Sequence, residues 1–83
     1  MGRCLVIYDI SADRVRTKVA DLCLDYGLSR VQLSAYVGNI SRTHQDELMQ
    51  KAKRRMGKNV GHIALFPLCE ADFRGRREVG GQA

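Results

Sequence analysis

Arg3-Cys-Leu-Val-Ile-Tyr-Asp9 is the stretch on which the fold turns. Both of its alternating sets are apolar, Leu5 and Ile7 on one side and Cys4, Val6 and Tyr8 on the other, which predicts a strand buried on both faces. Downstream, Ser11 is placed to cap a helix with Asp13 in its first turn. Val15, Val19, Leu22 and Tyr26 then recur at helical spacing until Gly27 stops the run, so the first helix is expected over about residues 12–26. From Leu28 to Ile40 the period becomes two, with Val31, Leu33, Ala35 and Val37 alternating against Arg30, Gln32, Ser34 and Tyr36. This predicts two short strands around Leu33.

Ser41 or Thr43 can cap a second helix whose inner face is Leu48, Met49, Ala52 and Met56 and which ends at Gly57. Gly61 to Pro67 reads as another strand, apolar on both faces through Ile63 and Leu65 and through Ala64 and Phe66. The tail from Glu70 is polar, with one short strand expected near Arg77 to Gly80. Residues 1–80 thus form a single domain, and 81–83 are expected to fray. The order β-α-β-β-α-β is that of the ferredoxin-like α+β fold, a four-stranded antiparallel sheet with both helices on one face. Two helices cover one face only, while the first and last strands are apolar on both. A second copy of the sheet is the simplest cover for the open face, giving a two-fold homodimer. An RNA-recognition-like domain shares the strand order, but it needs aromatic platforms on the open face, and the central strands offer mainly Tyr8.

Length and charge narrow the function. Eighty-three residues are too few for a doubly wound nucleotide fold or a barrel enzyme. A hydrophobic fraction of 45% and a single proline argue against disorder. Fourteen Lys and Arg against nine Asp and Glu leave a net charge of +5, which favours a polyanionic partner such as nucleic acid. Acids and bases balance up to residue 47, so the excess lies in the second half. It is concentrated in Lys51, Lys53, Arg54, Arg55 and Lys58, with no acid between Leu48 and Cys69. That run is either a solvated helix face or a surface that tracks phosphates. Cys4, Cys23 and Cys69 have neither disulfide-framework nor zinc spacing, and reduced thiols are expected. The apolar run Cys4 to Tyr8 is far shorter than a signal-peptide core or a membrane span, so a cytoplasmic protein without membrane contact is the expectation.

The chain has no Ser-His-Asp set, no Gly-rich phosphate loop and no His pair at metal spacing, and both His44 and His62 read as structural. Asp9 is different, because it ends an apolar strand in the turn that leads to a helix N-terminus. It either caps its own turn or binds a cation. In the second case the two-fold dimer supplies a pair of carboxylates, enough to hold Mg²⁺ with waters and phosphate oxygens completing its shell. Arg14, Arg16, Lys18 and Arg30 would then face phosphate.

Five segments carry a resemblance: Val6-Ile-Tyr-Asp-Ile10, Arg16-Thr-Lys-Val-Ala20, Tyr26-Gly-Leu-Ser-Arg-Val-Gln32, Ser34-Ala-Tyr-Val-Gly38 and Phe66-Pro-Leu-Cys-Glu70. In this order and spacing the chain resembles, over nearly its whole length, the small CRISPR-associated spacer-acquisition nuclease that partners the larger CRISPR integrase. The resemblance implies a ferredoxin-like homodimer in which the aspartate ending the first strand of each copy binds Mg²⁺, or Mn²⁺, for cleavage of single-stranded RNA or double-stranded DNA. That aspartate falls on Asp9. Arg16 and Arg30 match positions near the family's active site, and Tyr36 stands where the family more often has Phe. With Arg14, Lys18 and the helix-two bases Lys51, Lys53, Arg54, Arg55 and Lys58, these make the expected nucleic-acid surface. The resemblance equally implies a second role, a DNA-binding dimer that bridges the integrase without cutting. Ala35-Tyr36 in place of a commoner Val-Phe pair, and Val37 in place of a polar residue, are departures near the site.

Overall fold

The computed structural model describes residues 2–80. Its elements are β1 (Gly2–Ile10), α1 (Asp13–Asp25), β2 (Ser29–Gln32), β3 (Ala35–Ile40), α2 (Arg42–Met56), β4 (Gly61–Leu68) and α3 (Glu70–Arg74). The four strands form one sheet in the order β2-β3-β1-β4, and β1 is antiparallel to both of its neighbours, the ferredoxin-like arrangement expected.

Register assigns every side chain a face. Val6 lies opposite Tyr36 and Leu65, and Cys4 opposite Gly38, so these belong to one face with Tyr8 and Ile10. This face receives α1 through Val15, Val19, Leu22 and Cys23, and α2 through Leu48 and Ala52, and together they make the core. On the other face Leu5 meets Val37 and Phe66, Ile7 meets Ala35 and Ala64, and Asp9 meets His62. No helix of α1 or α2 reaches it.

The local signals mostly act as read. The Ser41 hydroxyl accepts the His44 amide at 3.1 Å and starts α2, while Gly27 and Gly57, at φ of 86° and 54°, end the two long helices. Ser11 does not cap α1. The cap position is Ala12, whose side chain makes no bond, and the connection is held instead by Arg16, which donates to the carbonyls of Ile10 at 2.9 Å and Ser11 at 3.4 Å. On α2 the inner face includes a polar residue, Gln45, only 3% exposed. Its amide nitrogen donates to the carbonyls of Gly2 and Ile40, which ties the helix to the adjacent ends of β1 and β3.

The tail departs from expectation. Residues 76–80 form no strand, and Glu70–Arg74 is a short helix capped by Cys69, whose sulfur accepts the Asp72 amide. Arg3, on the open face, binds the Glu70 carboxylate at 3.0 Å and lays its guanidinium 4.1 Å from the centre of the Phe73 ring, with Arg76 against that ring at 4.0 Å. The segment continues past Val31 and Val37, where Phe73, Arg76, Arg77 and Glu78 line a shallow cavity. One end of the open face is therefore covered by the chain itself. The expected fraying of 81–83 lies outside the described residues. Cys4 and Cys23 are buried and Cys69 is exposed, all as free thiols. No helix among the described residues is long and apolar enough to cross a membrane.

Candidate functional site

The topology brings one end of every long element together. Asp9 ends β1, and the following residues start α1, so Arg14 and Lys18 lie at that end. Ile40 pairs with Gly2, so α2 departs from the opposite end and runs back. Its last turn, with Arg54 and Arg55, and the following Lys58 thereby return to Asp9. Gly61 and His62 open β4 opposite Ile10 and Asp9. Asp46 and Glu47 early in α2, and Glu70 and Asp72 in α3, lie at the other pole, whereas Asp13 shares the Asp9 end and pairs with Arg16 there. The end of the molecule that holds Asp9 thus also presents the exposed bases Arg14, Lys18, Arg54, Arg55 and Lys58, with Asp13 engaged by Arg16.

Asp9 projects from the open face and is exposed. The ion pairs among the described residues are Arg3 with Glu70, Arg16 with Asp13, and Arg76 with Glu78, so none uses Asp9. It does not cap its turn either, since no backbone N–H among the described residues donates to its carboxylate and α1 starts without a side-chain cap. β4 approaches closely at this point: a Cβ on Gly61 would lie 2.8 Å from the Asp9 carbonyl oxygen and 3.3 Å from the Ile10 Cα, so only glycine fits. The Asp9 backbone pairs with β4, and Arg16 holds the two carbonyls that follow it.

An exposed carboxylate with hard oxygen donors and no cationic neighbour of its own fits a hydrated divalent ion. One chain supplies no more than a fragment of such a site, because no three His, Cys, Asp or Glu side chains converge among the described residues.

The expected nucleic-acid residues separate into three groups. Arg14, Lys18, Arg54, Arg55 and Lys58 are exposed, and Lys18 and Arg55 share the groove between α1 and α2 with Asp21 and Asp25. Lys51 and Lys53 flank α2 on opposite sides: Lys51 sits 5.1 Å from the Tyr26 ring centre beside Asp25 and Glu47, and Lys53 lines an apolar groove with Met49, Met56 and Ile63. Arg16, Arg30 and Tyr36 need correction. Arg16 is engaged in the β1–α1 connection and pairs with Asp13. Tyr36 is 0% exposed on the helix face, stacked on Tyr8 at 6.0 Å, and its hydroxyl accepts the Arg30 Nε at 3.1 Å. Arg30 shares that face, directly opposite Tyr36, and so lies on the side of the sheet away from Asp9. Tyr36 is a core residue that holds Arg30, and neither meets a ligand bound at Asp9.

His44 keeps the structural role expected, with its ring edge-on to Tyr26 and its Nδ1 3.1 Å from the Ser41 hydroxyl. His62 does not. It is exposed, directly across from Asp9, and has no bonding partner among the described residues. The sequence held no signal for it, because register between β1 and β4 decides which residue faces Asp9.

Comparison with known proteins places the chain in a family. A family model described as CRISPR associated protein Cas2 matches residues 1–76. The CRISPR-associated endoribonuclease Cas2 2 of Chloroflexus aurantiacus is 49% identical over 75 residues, covering 90% of this chain and 88% of that protein. A CRISPR-associated endonuclease Cas1/endonuclease Cas2 fusion from Thermoproteus tenax is 42% identical over 62 residues, which are 75% of this chain and 24% of the fusion. The crystal structure of Streptococcus pyogenes Cas2 has the same fold, with a TM-score of 0.80 at 23% identity over 94% of this chain and 99% of that one. With the family match spanning all but the tail, the chain belongs to the CRISPR-associated Cas2 family.

Proposed function

We propose that this protein is a homodimeric, Mg²⁺-dependent endonuclease, with Mn²⁺ as the alternative ion. It cleaves phosphodiester bonds of single-stranded RNA or double-stranded DNA and takes part in spacer acquisition with the larger CRISPR integrase. The observation that carries this reading is Asp9: an exposed carboxylate with no ion-pair partner among the described residues, on the sheet face that the long helices leave open. The similarity to a Chloroflexus aurantiacus protein named as an endoribonuclease supports the activity, and the fusion to a Cas1 endonuclease in the Thermoproteus tenax relative supports the partner.

The dimer forms through the half of the open face that α3 leaves bare. Ile7, at 37% exposed, and Phe66, at 47%, lie there with Ala64, next to Asp9. Apposing two such strips brings the two Asp9 carboxylates to the two-fold axis, where they bind one ion. When bound, that ion supplies a water of lowered pKa and Lewis-acid stabilisation of charge on the phosphodiester. Arg14, Lys18, Arg54, Arg55 and Lys58 hold the flanking phosphates without reading sequence.

Asp9→Asn tests the activity. Metal-dependent cleavage of RNA and DNA should fall by roughly two orders of magnitude or more, with duplex binding retained. Unchanged cleavage would reject the enzyme. The non-catalytic scaffold is the second reading, favoured by bases at the end of α2 that pair with no acid among the described residues. Reversing Lys53, Arg54 and Arg55 to Glu should abolish duplex binding at physiological salt under that reading and weaken it under both.

A further inference from the structure

His62 stands directly opposite Asp9 across the β1–β4 pair, on the same face and equally exposed. Cross-strand partners of this kind have Cβ atoms about 4.5–5.5 Å apart, which lets a carboxylate and an imidazole reach a single ion between them. They do not satisfy each other, since no hydrogen bond or ion pair joins them among the described residues. Their register is set by the β1–β4 ladder, in which Ile10 pairs with Gly61 beside them, and β4 runs so close there that a Cβ on Gly61 would fall 2.8 Å from the Asp9 carbonyl oxygen.

We propose that His62 is a second metal-ligating residue, so that each protomer contributes an Asp9 and His62 pair and the site prefers a nitrogen-binding divalent transition ion over Mg²⁺. This rests on the reading of Asp9 as a ligand and extends it. All-oxygen sites suit Mg²⁺, which dehydrates reluctantly and keeps its waters, whereas imidazole favours the later first-row ions. Two carboxylates and two imidazoles from a symmetric pair of strands make a mixed oxygen and nitrogen set. Choice of ion is then encoded at the start of β4, ahead of the Phe66–Glu70 segment by which that strand takes part in the family resemblance.

The test uses the untagged full chain in a Cys69→Ser background, which removes the exposed thiol, with Co²⁺ and Mg²⁺ as separate probes in isothermal titration and Co²⁺ visible absorption as a second readout. Wild-type His62 should give Co²⁺ binding at least roughly tenfold tighter than Mg²⁺ binding. His62→Ala and His62→Asn should lose that preference, weakening Co²⁺ by roughly tenfold or more and changing the Co²⁺ spectrum, while Mg²⁺ affinity stays within about twofold. Asp9→Asn should weaken both ions. If Asp9→Asn weakens both ions but the His62 variants leave Co²⁺ affinity and spectrum unchanged, His62 is not a ligand and this proposal alone is overturned. If Asp9→Asn affects neither ion, the Asp9 reading fails and this one with it.

Discussion

The even-numbered residues of β1, Cys4, Val6, Tyr8 and Ile10, are sealed beneath α1 and α2, whereas the odd-numbered Arg3, Leu5, Ile7 and Asp9 lie on a face that α3 covers only at the Arg3 end. One strand therefore serves two purposes. Its sealed side fixes the fold through tight burial, down to a tyrosine pair whose hydroxyls are enclosed and an arginine that reaches one of them. Its open side leaves apolar and charged groups available, grading from a stretch latched by Glu70 and Phe73 to a bare end that carries Asp9 and His62. In a domain this small the difference is informative, because a thin core leaves little apolar surface to spare, yet the open side keeps Ile7 and Phe66 exposed.

Substitutions on the two sides should separate. The largest stability loss is expected on the sealed side: Leu48→Ala, at a position 1% exposed, should cost about 3 kcal/mol, read as a lower urea midpoint with unchanged slope at fixed protein concentration. A cost below about 1 kcal/mol would mean that this face is loosely packed and that the contrast is false.

High pH should strain the same side next. Burial pushes the Cys23 thiol up to about 11 from its usual 9, with the neighbouring Cys4 adding to the shift. Burial raises Cys4, and burial followed by the Tyr36 hydroxyl raises Tyr8, in the same direction. The native state holds these protons more tightly than the unfolded chain. Stability is therefore complete below about pH 9 and declines as pH rises toward 11, with Cys23 contributing on the order of 2 kcal/mol. Unfolding curves between pH 8 and 11 should flatten in Cys23→Ala relative to the parent. An equal slope in both proteins would remove Cys23 from the account.

The smallest stability change is expected from Ile7→Glu on the open side, under about 1 kcal/mol for the isolated fold. Its effect should fall on association instead, raising the dimer dissociation constant by roughly tenfold or more in sedimentation equilibrium. A dimer that tolerates the charge would move the interface away from the Asp9 end.

Much of this was legible in the residues. The doubly apolar β1 and β4, the helical spacing of Val15, Val19 and Leu22, and the glycine and serine punctuation were enough for the element order and so for the fold. Asp9 was legible as a candidate because of where it ends an apolar strand. Tyr36 was not. Along the chain it shares its phase with Arg30, Gln32 and Ser34, a polar set that reads as outward-facing, but the irregular pairing between Arg30 and Gln32 and the register with Val6 turn it into the core. His62 was missed for the same reason, since pairing across strands is not written in either strand. The short α3 escaped because five residues are too few to display a period, and its hold on Arg3 depends on a contact between distant parts of the chain.

The claim that joins these threads is that the bare end of the open face becomes a metal site only when two copies share it. Titration of Mn²⁺ into the untagged protein, counting free ion by electron paramagnetic resonance, measures it directly. One ion bound per two chains, lost in Asp9→Asn and weakened in step with dimer dissociation by Ile7→Glu, is the expected result. One ion per chain, retained when the dimer is broken, would contradict it.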